Sequence, residues 1–588
     1  MDARVSRRRF VILSVASFAA ACGPTTPPPT AAPPPTAAPK PTAAPAATTA
    51  PAAPTALAPA AAAPTSAPTT APAATSGEKS TLNFAAGAQS GTIRGQFIKP
   101  VLLYSYSSQI PALLTHSRLV SLDGKGKLNP DLADKWELSS DGTQYTYHLR
   151  KDVKFHDGAP VTARDVEATA RLYLTKAANI NPSFWTNYVK GAKEFYDGDS
   201  NELPGVQVKD DLTITFEQKE PYANWDQLAV AEMNVLPAHI YKGINPAELK
   251  EDDGPAWFKP ENQIGSGPFK FVQAEKEKFV ELARNDDYYG GKPKLDKIFW
   301  RNLGQYDTEY VAFEKGEIDV WNVPFDYADR VKKLPNATLN EIRRRYIRIF
   351  LVNHRAPYLA DKRIRQAFLY GIDRKSLVDQ IYNGLAVPYN SFVEAENFVA
   401  DGLNQYEYNP DKANQLLKDA NYDTSKDLRL LYYYNDTIHK DMFAAVQQQL
   451  SKIGVKVTPQ LVESAALAPK TKNGEYDLLY QGWGFQGVPS VYGPLFTCER
   501  GYEGYACDPK VEELFKAGQI ATSASAQKDA YDEIQKIIND TLPIYPFLKF
   551  KGLVAINKRV TGFGDDAIWM MHHPWYTGYN GAVSWAVQ

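Results

Sequence analysis

The residues best suited to nucleophilic or phosphate chemistry lie in a Gly-Ser-Gly-Pro segment at 265–268 and in the pair Lys375 and Ser376. The first segment lacks the spacing of a Gly-x-Ser-x-Gly elbow, and its proline stands where a dinucleotide site would begin a glycine-led helix. The second pair has no Ser-x-x-Lys spacing with an accompanying Lys-Thr-Gly. A phosphate-binding P-loop is also absent from the sequence. These patterns predict neither acyl transfer nor nucleotide chemistry.

The histidines offer one possible metal site. His572 and His573 are the one cluster among eight histidines, but adjacent side chains on a loop or strand point apart. A His-Glu-x-x-His motif is absent, so we predict no metal and no other cofactor. Paired carboxylates for glycoside hydrolysis are an alternative, although no particular pair of acids stands out. We therefore predict no catalytic residues and a protein that is not an enzyme.

Residues 1–22 have the pattern of an export signal. Four arginines precede a short apolar run at 10–18, and three alanines precede Cys22. The arginine segment is similar to a twin-arginine signal, with a general secretory signal as the alternative. Cys22 stands where a bacterial lipoprotein signal has its acylated cysteine. Ala19 replaces the usual leucine, however, and Ala19-x-Ala21 also fits an ordinary cleavage site.

The segment at 23–77 favours the lipoprotein interpretation. It is almost entirely Pro, Ala and Thr, with Lys40 the only charge before Glu78. Such a segment has too little apolar surface to fold and too much proline for a helix, so we predict a disordered, semi-stiff tether. A long tether directly after a cysteine is useful when that cysteine is fixed in a membrane. We expect a cell-envelope lipoprotein, on the outer side of the cytoplasmic membrane or in the periplasm.

The two remaining cysteines are Cys498 and Cys507. An exported chain occupies a compartment that permits disulfides. Gly501 and Gly504 make the short loop between the cysteines easy to close. A bridge here would contribute roughly 2–3 kcal/mol to the free energy of unfolding. We predict a disulfide, with a pair of free thiols as the alternative.

Length and composition restrict the class of protein. The chain has 588 residues, of which 44% are apolar and 22% charged, and its formal net charge is −2. This length exceeds what one hydrophobic core supports, so we expect at least two lobes. The near-zero net charge gives no electrostatic reason to expect a nucleic-acid partner. No uninterrupted apolar run approaches the roughly 18 residues that span a membrane.

Strand and helix patterns alternate along the rest of the chain. The segment 144–149 alternates with period two and places Tyr145, Tyr147 and Leu149 on one face, which predicts a half-buried strand. Thr162, with Asp165 three residues later, predicts the start of a capped helix. Such alternation of strands and helices favours an α/β architecture.

A strand–helix–strand unit is predicted in the second half. Asn409 caps a helix with proline at its first position, and Asn421 is a plausible left-handed stop. A strand is predicted at 428–434, a helix at 440–452 and another strand at 455–457. Two strands joined by a helix in this way imply a parallel sheet.

An ordered series of segments resembles family 5 extracellular solute-binding proteins, which include the dipeptide-, oligopeptide- and nickel-binding proteins of ABC importers. The match is spread over residues 80–565. Its strongest stretch begins with Leu-Ala-Asp-Lys-Trp-Glu at 132–137 and continues at 141–158 and 162–166. Further matches follow in the family's order: Gly-Ser-Gly-Pro-Phe at 265–269, the Asn-x-x-Tyr-x-Gly-Gly-x-Pro segment at 285–293, 365–374, 409–422, Tyr-Asp at 476–477, Gly-Trp at 482–483 and the return strand at 543–563.

The resemblance implies an α/β, two-lobed, periplasmic-binding-protein-like (type II) fold with a hinge and an interlobe cleft. It places lobe I at 80–345, lobe II at 346–545 and a return to lobe I at 546–588. The implied function is the substrate-binding component of an ABC importer, a monomer that captures a peptide or similar solute and delivers it to the permease. An oligosaccharide solute, or an exported sensor or enzyme on this fold, is the alternative.

The resemblance also supplies candidate ligand-binding residues, which are Trp483, Phe485, Gln486 and Tyr480. In peptide-binding relatives an Asp a few residues after the Gly-Trp pair holds the α-ammonium of the peptide. The segment 484–490 has no carboxylate, and burying an ammonium without a counter-charge is costly. Either another acid, such as Glu499 or Asp508, takes that role, or the solute lacks a free amino terminus.

Overall fold

The structure is a computed structural model that describes residues 80–85, 106–123, 126–178, 183–231, 233–249, 259–275, 278–484, 488–496, 498, 507–571 and 581–588. These residues all belong to one compact unit, Ala74–Gln588. The predictions for the export signal, the tether and Cys22 lie outside the described residues. So do those for Phe485, Gln486 and the histidine pair at 572–573.

Nineteen strands are present in the described part of the chain. In chain order they are β1 (Thr81–Ala85), β2 (Val120–Leu122), β3 (Leu128–Pro130), β4 (Ala133–Leu138), β5 (Gln144–Leu149), β6 (Val206–Asp210), β7 (Thr213–Glu217), β8 (Phe269–Glu275), β9 (Phe279–Arg284), β10 (Lys297–Arg301), β11 (Val320–Asn322), β12 (Ala337–Val352), β13 (Ala386–Pro388), β14 (Asp427–Tyr432), β15 (Lys456–Leu461), β16 (Leu478–Trp483), β17 (Ile544–Asn557), β18 (Val560–Thr561) and β19 (Ala586–Val587).

The α-helices of the same ranges alternate with the strands. They are α1 (Tyr106–Thr115), α2 (Ala163–Tyr173), α3 (Ser183–Tyr188), α4 (Ala192–Asp197), α5 (Ala238–Tyr241), α6 (Tyr306–Glu314), α7 (Ala328–Val331), α8 (Lys362–Tyr370), α9 (Arg374–Ile381), α10 (Pro410–Asp419), α11 (Thr437–Ser451), α12 (Ser464–Asn473), α13 (Pro509–Ile520), α14 (Ala524–Thr541) and α15 (Asp565–Met570). Within the described ranges, none is long and apolar enough to cross a membrane.

One large mixed sheet connects the N-terminal and C-terminal parts of the fold. Its strand order is β15-β14-β16-β12-β17-β11-β1-β10-β9-β8, with β13 pairing β17. The two long strands β12 and β17 are antiparallel neighbours at its centre, and they link the helices and strands of residues 357–541 to the rest. A separate four-stranded sheet has the order β4-β5-β7-β6. The predicted boundary at 345–346 falls within β12, and the division into 80–345, 346–545 and 546–588 stays a prediction.

The alternating segment at 144–149 is a strand of the smaller sheet, as predicted. Tyr145, Tyr147 and Leu149 are all buried in β5, whereas the residues between them are more exposed. The capped helix is also present, because the Asp165 carboxylate accepts a 2.8 Å hydrogen bond from the backbone N–H of Thr162. The second carboxylate oxygen accepts the Ala238 N–H at 2.9 Å. The Asp165 carboxylate therefore joins the start of α2 to the start of α5.

The predicted strand–helix–strand unit is confirmed with shifted ends. The Asn409 side chain accepts the Lys412 N–H at the start of α10, and Asn421 has a left-handed φ of 51°. Strand β14 ends at Tyr432, and α11 begins at Thr437, three residues before the prediction. Strands β14 and β15 pair in parallel, as the connecting helix requires.

The Gly-Ser-Gly-Pro segment has a packing role rather than a catalytic geometry. It passes close to the end of α1, where a Cβ on Gly265 would lie 2.0 Å from the Thr115 carbonyl oxygen. A Cβ on Gly267 would lie 2.6 Å from the Leu114 carbonyl oxygen. Only glycine allows so close a backbone approach at these two positions.

Candidate functional site

The candidate site lies where three parallel strands of the large sheet end. Strands β15, β14 and β16 are adjacent and parallel, so their carboxyl ends meet at one edge of the sheet. The antiparallel strand β12 reaches the same edge, because its Ile347 lies opposite Trp483 of β16. In open α/β sheets, ligands bind outside the carboxyl ends of the strands. We call this region the carboxyl edge.

A basic and aromatic group occupies one face of the sheet at the carboxyl edge. The Arg348 guanidinium lies 4.3 Å from the centroid of the Tyr434 ring and donates a hydrogen bond to the Tyr434 hydroxyl. Tyr434 in turn stacks between Tyr433 at 4.2 Å and His439 at 4.4 Å. Tyr433, Tyr434 and Arg348 are half-buried, so this stack presents both a cation and ring surface to solvent.

Asp436 adds a negative charge to the same group. It is the N-cap of α11, and its side chain accepts both the backbone N–H of His439 at 2.9 Å and an imidazole contact at 2.7 Å. Partial burial acts to raise the pKa of Asp436, but the hydrogen bonds from His439 and the charge of Arg348 outweigh it, and the pKa lies below its usual value. Burial is the main cause that lowers the pKa of His439, opposed by Asp436 and aided by Arg348. Asp436 is therefore ionised at neutral pH, and about half of its side chain is accessible to solvent.

Tyr480 lies behind this group in the core. Its side chain is fully buried, with ring centroids 5.1 Å from Phe350 and 5.0 Å from Phe443. The Arg348 guanidinium lies 5.8 Å from its ring. Tyr480 therefore packs against Arg348 on the core side, and its side chain is not accessible to solvent.

Trp483 lies on the opposite face of the sheet. It ends β16 and is 4% exposed, with its ring stacked on Tyr492 at a centroid distance of 5.5 Å. The Tyr492 hydroxyl donates a hydrogen bond to the buried Glu394 carboxylate. The Lys549 ammonium donates to the Glu394 backbone carbonyl at 2.8 Å and lies 5.0 Å from the Tyr389 ring. The carboxyl edge thus has charged and aromatic groups on both faces.

Four residues of this site were missed by sequence reasoning: Arg348, Tyr434, Asp436 and His439. The strand–helix–strand pattern placed the end of β14 near them, and the Asp-x-x-His spacing of 436–439 is an N-cap signal that could have located the helix start. The approach of Arg348 has no local signal, because Arg348 is 86 residues away from Tyr434 in sequence and the order of the strands brings the two together.

Two cavities lie at the other end of these strands. The larger, of about 360 Å³, is lined by His354, Arg365, Phe496, Cys507, Asp508, Val511, Ile538, Thr541 and Pro543. Its buried guanidinium, on Arg365, donates to backbone carbonyls, at Leu359, Ala360, Thr541 and Leu542. That arrangement is a helix C-terminal cap. The smaller cavity, of about 270 Å³, surrounds the ion pair of Arg429 with the buried Asp477. The charged side chains of both cavities therefore make contacts within the protein: Arg365 binds backbone carbonyls and Arg429 pairs with Asp477.

The sulfurs of Cys498 and Cys507 are bonded to each other in the structure, with a Cα–Cα distance of 4.5 Å. The bond links the end of the segment after β16 to the start of α13, whose N-cap is Asp508. Asp508 accepts the backbone N–H of Lys510 at 2.9 Å, and its role as a counter-charge for an ammonium stays a prediction. Among the residues that the structure describes, no group of three or more His, Cys, Asp or Glu side chains could hold a metal.

The mixed sheet, the paired central strands and a polar, aromatic carboxyl edge define the class of periplasmic-binding-protein-like solute-binding proteins. The family profile of the bacterial extracellular solute-binding proteins, family 5 (middle), matches residues 127–503. The chain belongs to this family of extracellular solute-binding proteins. The sequence resemblance and the expected α/β fold class are thereby confirmed.

Individual relatives cover most of the chain. The oligopeptide-binding protein AppA of Bacillus subtilis is 27% identical over 476 residues, which are 76% of this chain and 83% of AppA. The dipeptide-binding protein of Escherichia coli K12 is 25% identical, covering 78% of this chain and 88% of that protein. The crystal structure of the ABC transporter substrate-binding protein CtaP of Listeria monocytogenes superimposes with a TM-score of 0.71 at 25% identity, over 82% of this chain and 95% of CtaP.

Proposed function

We propose that this protein is the solute-binding component of an ABC importer and that its solute is a peptide or a similar zwitterionic molecule. The observation on which this rests is the carboxyl edge, where Arg348 and Asp436 flank the stacked rings of Tyr434 and His439. Its relatives named above as oligopeptide- and dipeptide-binding proteins support the same solute class.

The chemistry of the edge matches both ends of a peptide. A guanidinium binds a carboxylate through two parallel N–H donors, and Arg348 is held in place by the ring below it. Asp436 supplies a carboxylate that an ammonium can approach from solvent, since its side chain is 46% exposed. The segment 484–490 has no acid. Asp436 is therefore our candidate for the counter-charge that this segment lacks.

A thermal-shift screen of residues 78–588 tests the solute class. Free peptides, the same peptides with acetylated amino termini, and oligosaccharides are compared at equal concentrations. A peptide at a hundredfold excess over Kd adds about 2.7 kcal/mol to the free energy of unfolding. We expect stabilisation by free peptides that acetylation removes. Stabilisation by oligosaccharides alone would contradict the proposal, and recovery of the bound peptide unchanged would exclude turnover.

We further propose that residues 1–22 are removed as an export signal, that Cys22 is then acylated, and that 23–77 tether the folded part to the cytoplasmic membrane. The cysteine position and the Pro/Ala/Thr composition that follows support this. A folded part of this kind acts as a monomer beside the permease. Labelling cells with a radioactive fatty acid tests the anchor, because Cys22→Ser should abolish the label. Label retained in that variant would contradict it.

A further inference from the structure

The central strands β12 and β17 divide the described chain into two parts, which are the residues before β12 and the residues between β12 and β17. A second contact joins these two parts away from the central strands. Residues 220–224, which follow β7 of the small sheet, contact α13 through Lys516 and Gln519 and α14 through Gln527. The backbone N–H of Ala223 donates to the Gln519 carbonyl at 2.9 Å. The Gln527 amide donates to the Asn224 side-chain oxygen at 2.9 Å, and both side chains are buried. We call this contact the clasp.

The rim of the clasp is an ion pair between Glu220 and Lys516, whose side chains are 44% and 50% exposed. The contact therefore combines hydrogen bonds and a charge pair with apolar packing, because Tyr222 of this segment is buried in the hydrophobic cluster of the small sheet together with Val488. Val491 and Phe398 pack against the same cluster. Opening the clasp would break these hydrogen bonds and expose apolar surface, so the contact favours the closed arrangement.

A short 3-10 helix, Pro489–Leu495, connects the clasp to the carboxyl edge. Ser490 lies 3.4 Å from the Tyr222 hydroxyl, within the segment that forms the clasp. Two residues later, Tyr492 stacks on Trp483 at the end of β16. Val488, just before this helix, packs in the hydrophobic cluster of the small sheet. The three consecutive residues from Ser490 to Tyr492 therefore connect the end of β16 to the segment that forms the clasp.

We infer that the clasp holds the two parts of the protein closed and sets how readily a solute is released, with the 3-10 helix coupling it to the carboxyl edge. This inference rests on the proposed function, since closure matters for a protein that retains a solute. It assigns the control of release to residues outside the carboxyl edge, where the solute is proposed to bind. A ligand can shift such an equilibrium only as far as its affinities for the two states differ, and the clasp sets the starting ratio.

The test measures opening without any solute, so it is independent of the solute class. Spin labels at Asp199→Cys and Lys418→Cys, both exposed and in the two parts, report the distance by pulsed electron resonance on the mature chain. We expect one short distance in the parent. Lys516→Glu combined with Gln527→Ala should increase the open population roughly tenfold, because it removes a buried hydrogen bond and introduces like charges.

A charge exchange separates the clasp from general damage. Glu220→Lys with Lys516→Glu restores the opposite charges and should restore the short distance that Lys516→Glu alone disturbs. Lys510→Glu on the same helix is the matched control, because Lys510 pairs only locally with Glu513 at 3.3 Å. An unchanged distance in every variant, or a parent that is already open, would overturn the inference. A failed peptide screen would leave this outcome unaffected and would instead reject the proposed solute.

Discussion

The Arg348 guanidinium lies 4.3 Å from the centroid of the Tyr434 ring, although the two residues belong to β12 and to the turn before α11. The ring holds the cation at the carboxyl edge, where it is half-buried and has Asp436 nearby. A planar guanidinium fixed in this way is suited to bind a carboxylate with two hydrogen bonds. We therefore expect a substitution of Arg348 to weaken solute binding more than it lowers the free energy of unfolding.

Arg348→Lys keeps the charge but loses the planar fork, so we expect a roughly tenfold weaker Kd, about 1.4 kcal/mol, for the peptide with the largest thermal shift. Titration calorimetry measures it. Arg363→Lys is the matched control, because Arg363 pairs with Asp361 on the surface of α8. Equal Kd values for the parent and Arg348→Lys would show that the guanidinium does not bind the solute.

The Asp165 carboxylate joins two helices, so its removal should reduce stability. Asp165→Ala leaves the N–H groups of Thr162 and Ala238 without their acceptor, and we expect a loss of about 2–3 kcal/mol in the free energy of unfolding. Urea denaturation measures the loss. Glu167→Ala on the same helix should cost less than about 0.5 kcal/mol, because that residue makes only an i, i+4 pair with Arg171. Similar losses for the two variants would contradict this assignment.

The buried histidine next to the Gly-Ser-Gly-Pro segment should make the protein sensitive to acid. Burial, with a smaller contribution from His156, lowers the pKa of His116 to about 3. A depressed folded-state pKa contributes stability that is present above the unfolded value near 6.5 and is lost as pH falls toward 3. We expect this group alone to remove on the order of 2–3 kcal/mol between pH 7.5 and 4.5.

His116→Asn removes that titration, so the pH dependence of unfolding should become shallower even though the variant is less stable at pH 7.5. Urea denaturation at both pH values measures the difference. The surface residue His148, which contacts Glu137 at 3.1 Å, provides the control variant His148→Gln. An undiminished slope in His116→Asn would show that His116 does not titrate as its burial implies.

Local patterns predicted the elements of this fold well. The period-two run at 144–149, the Thr162–Asp165 cap and the Asn409 cap each depend on neighbours within four residues, and each is present. The start of α11 was placed three residues late because the Asp436 cap was not used. The strand pairing that brings β12 beside β16 depends on the whole sheet and has no local signal.

The positions of the candidate ligand residues in the sheet also could not be predicted from local sequence patterns. Tyr480 and Trp483 are three apart in one strand, so alternation places them on opposite faces. Sequence resemblance ranked both for the ligand, whereas the structure places Tyr480 in the core beneath Arg348 and Trp483 against Tyr492. Whether Trp483 contacts the solute stays a prediction. The charged residues of the carboxyl edge come from segments far apart in sequence, so their grouping could be recognised only from the folded structure.

The bond between Cys498 and Cys507 should limit the freedom of the unfolded chain. Closing a loop with a sequence separation of 9 should stabilise the folded state by roughly 2–3 kcal/mol in the chain-entropy account. Denatured, unreduced protein produced without Cys22 should therefore have no free thiol, and Cys498→Ser with Cys507→Ser should unfold at lower urea. Because the bond joins the segment after β16 to α13, the double variant should also release solute faster. Two free thiols in the parent protein would contradict the bridge.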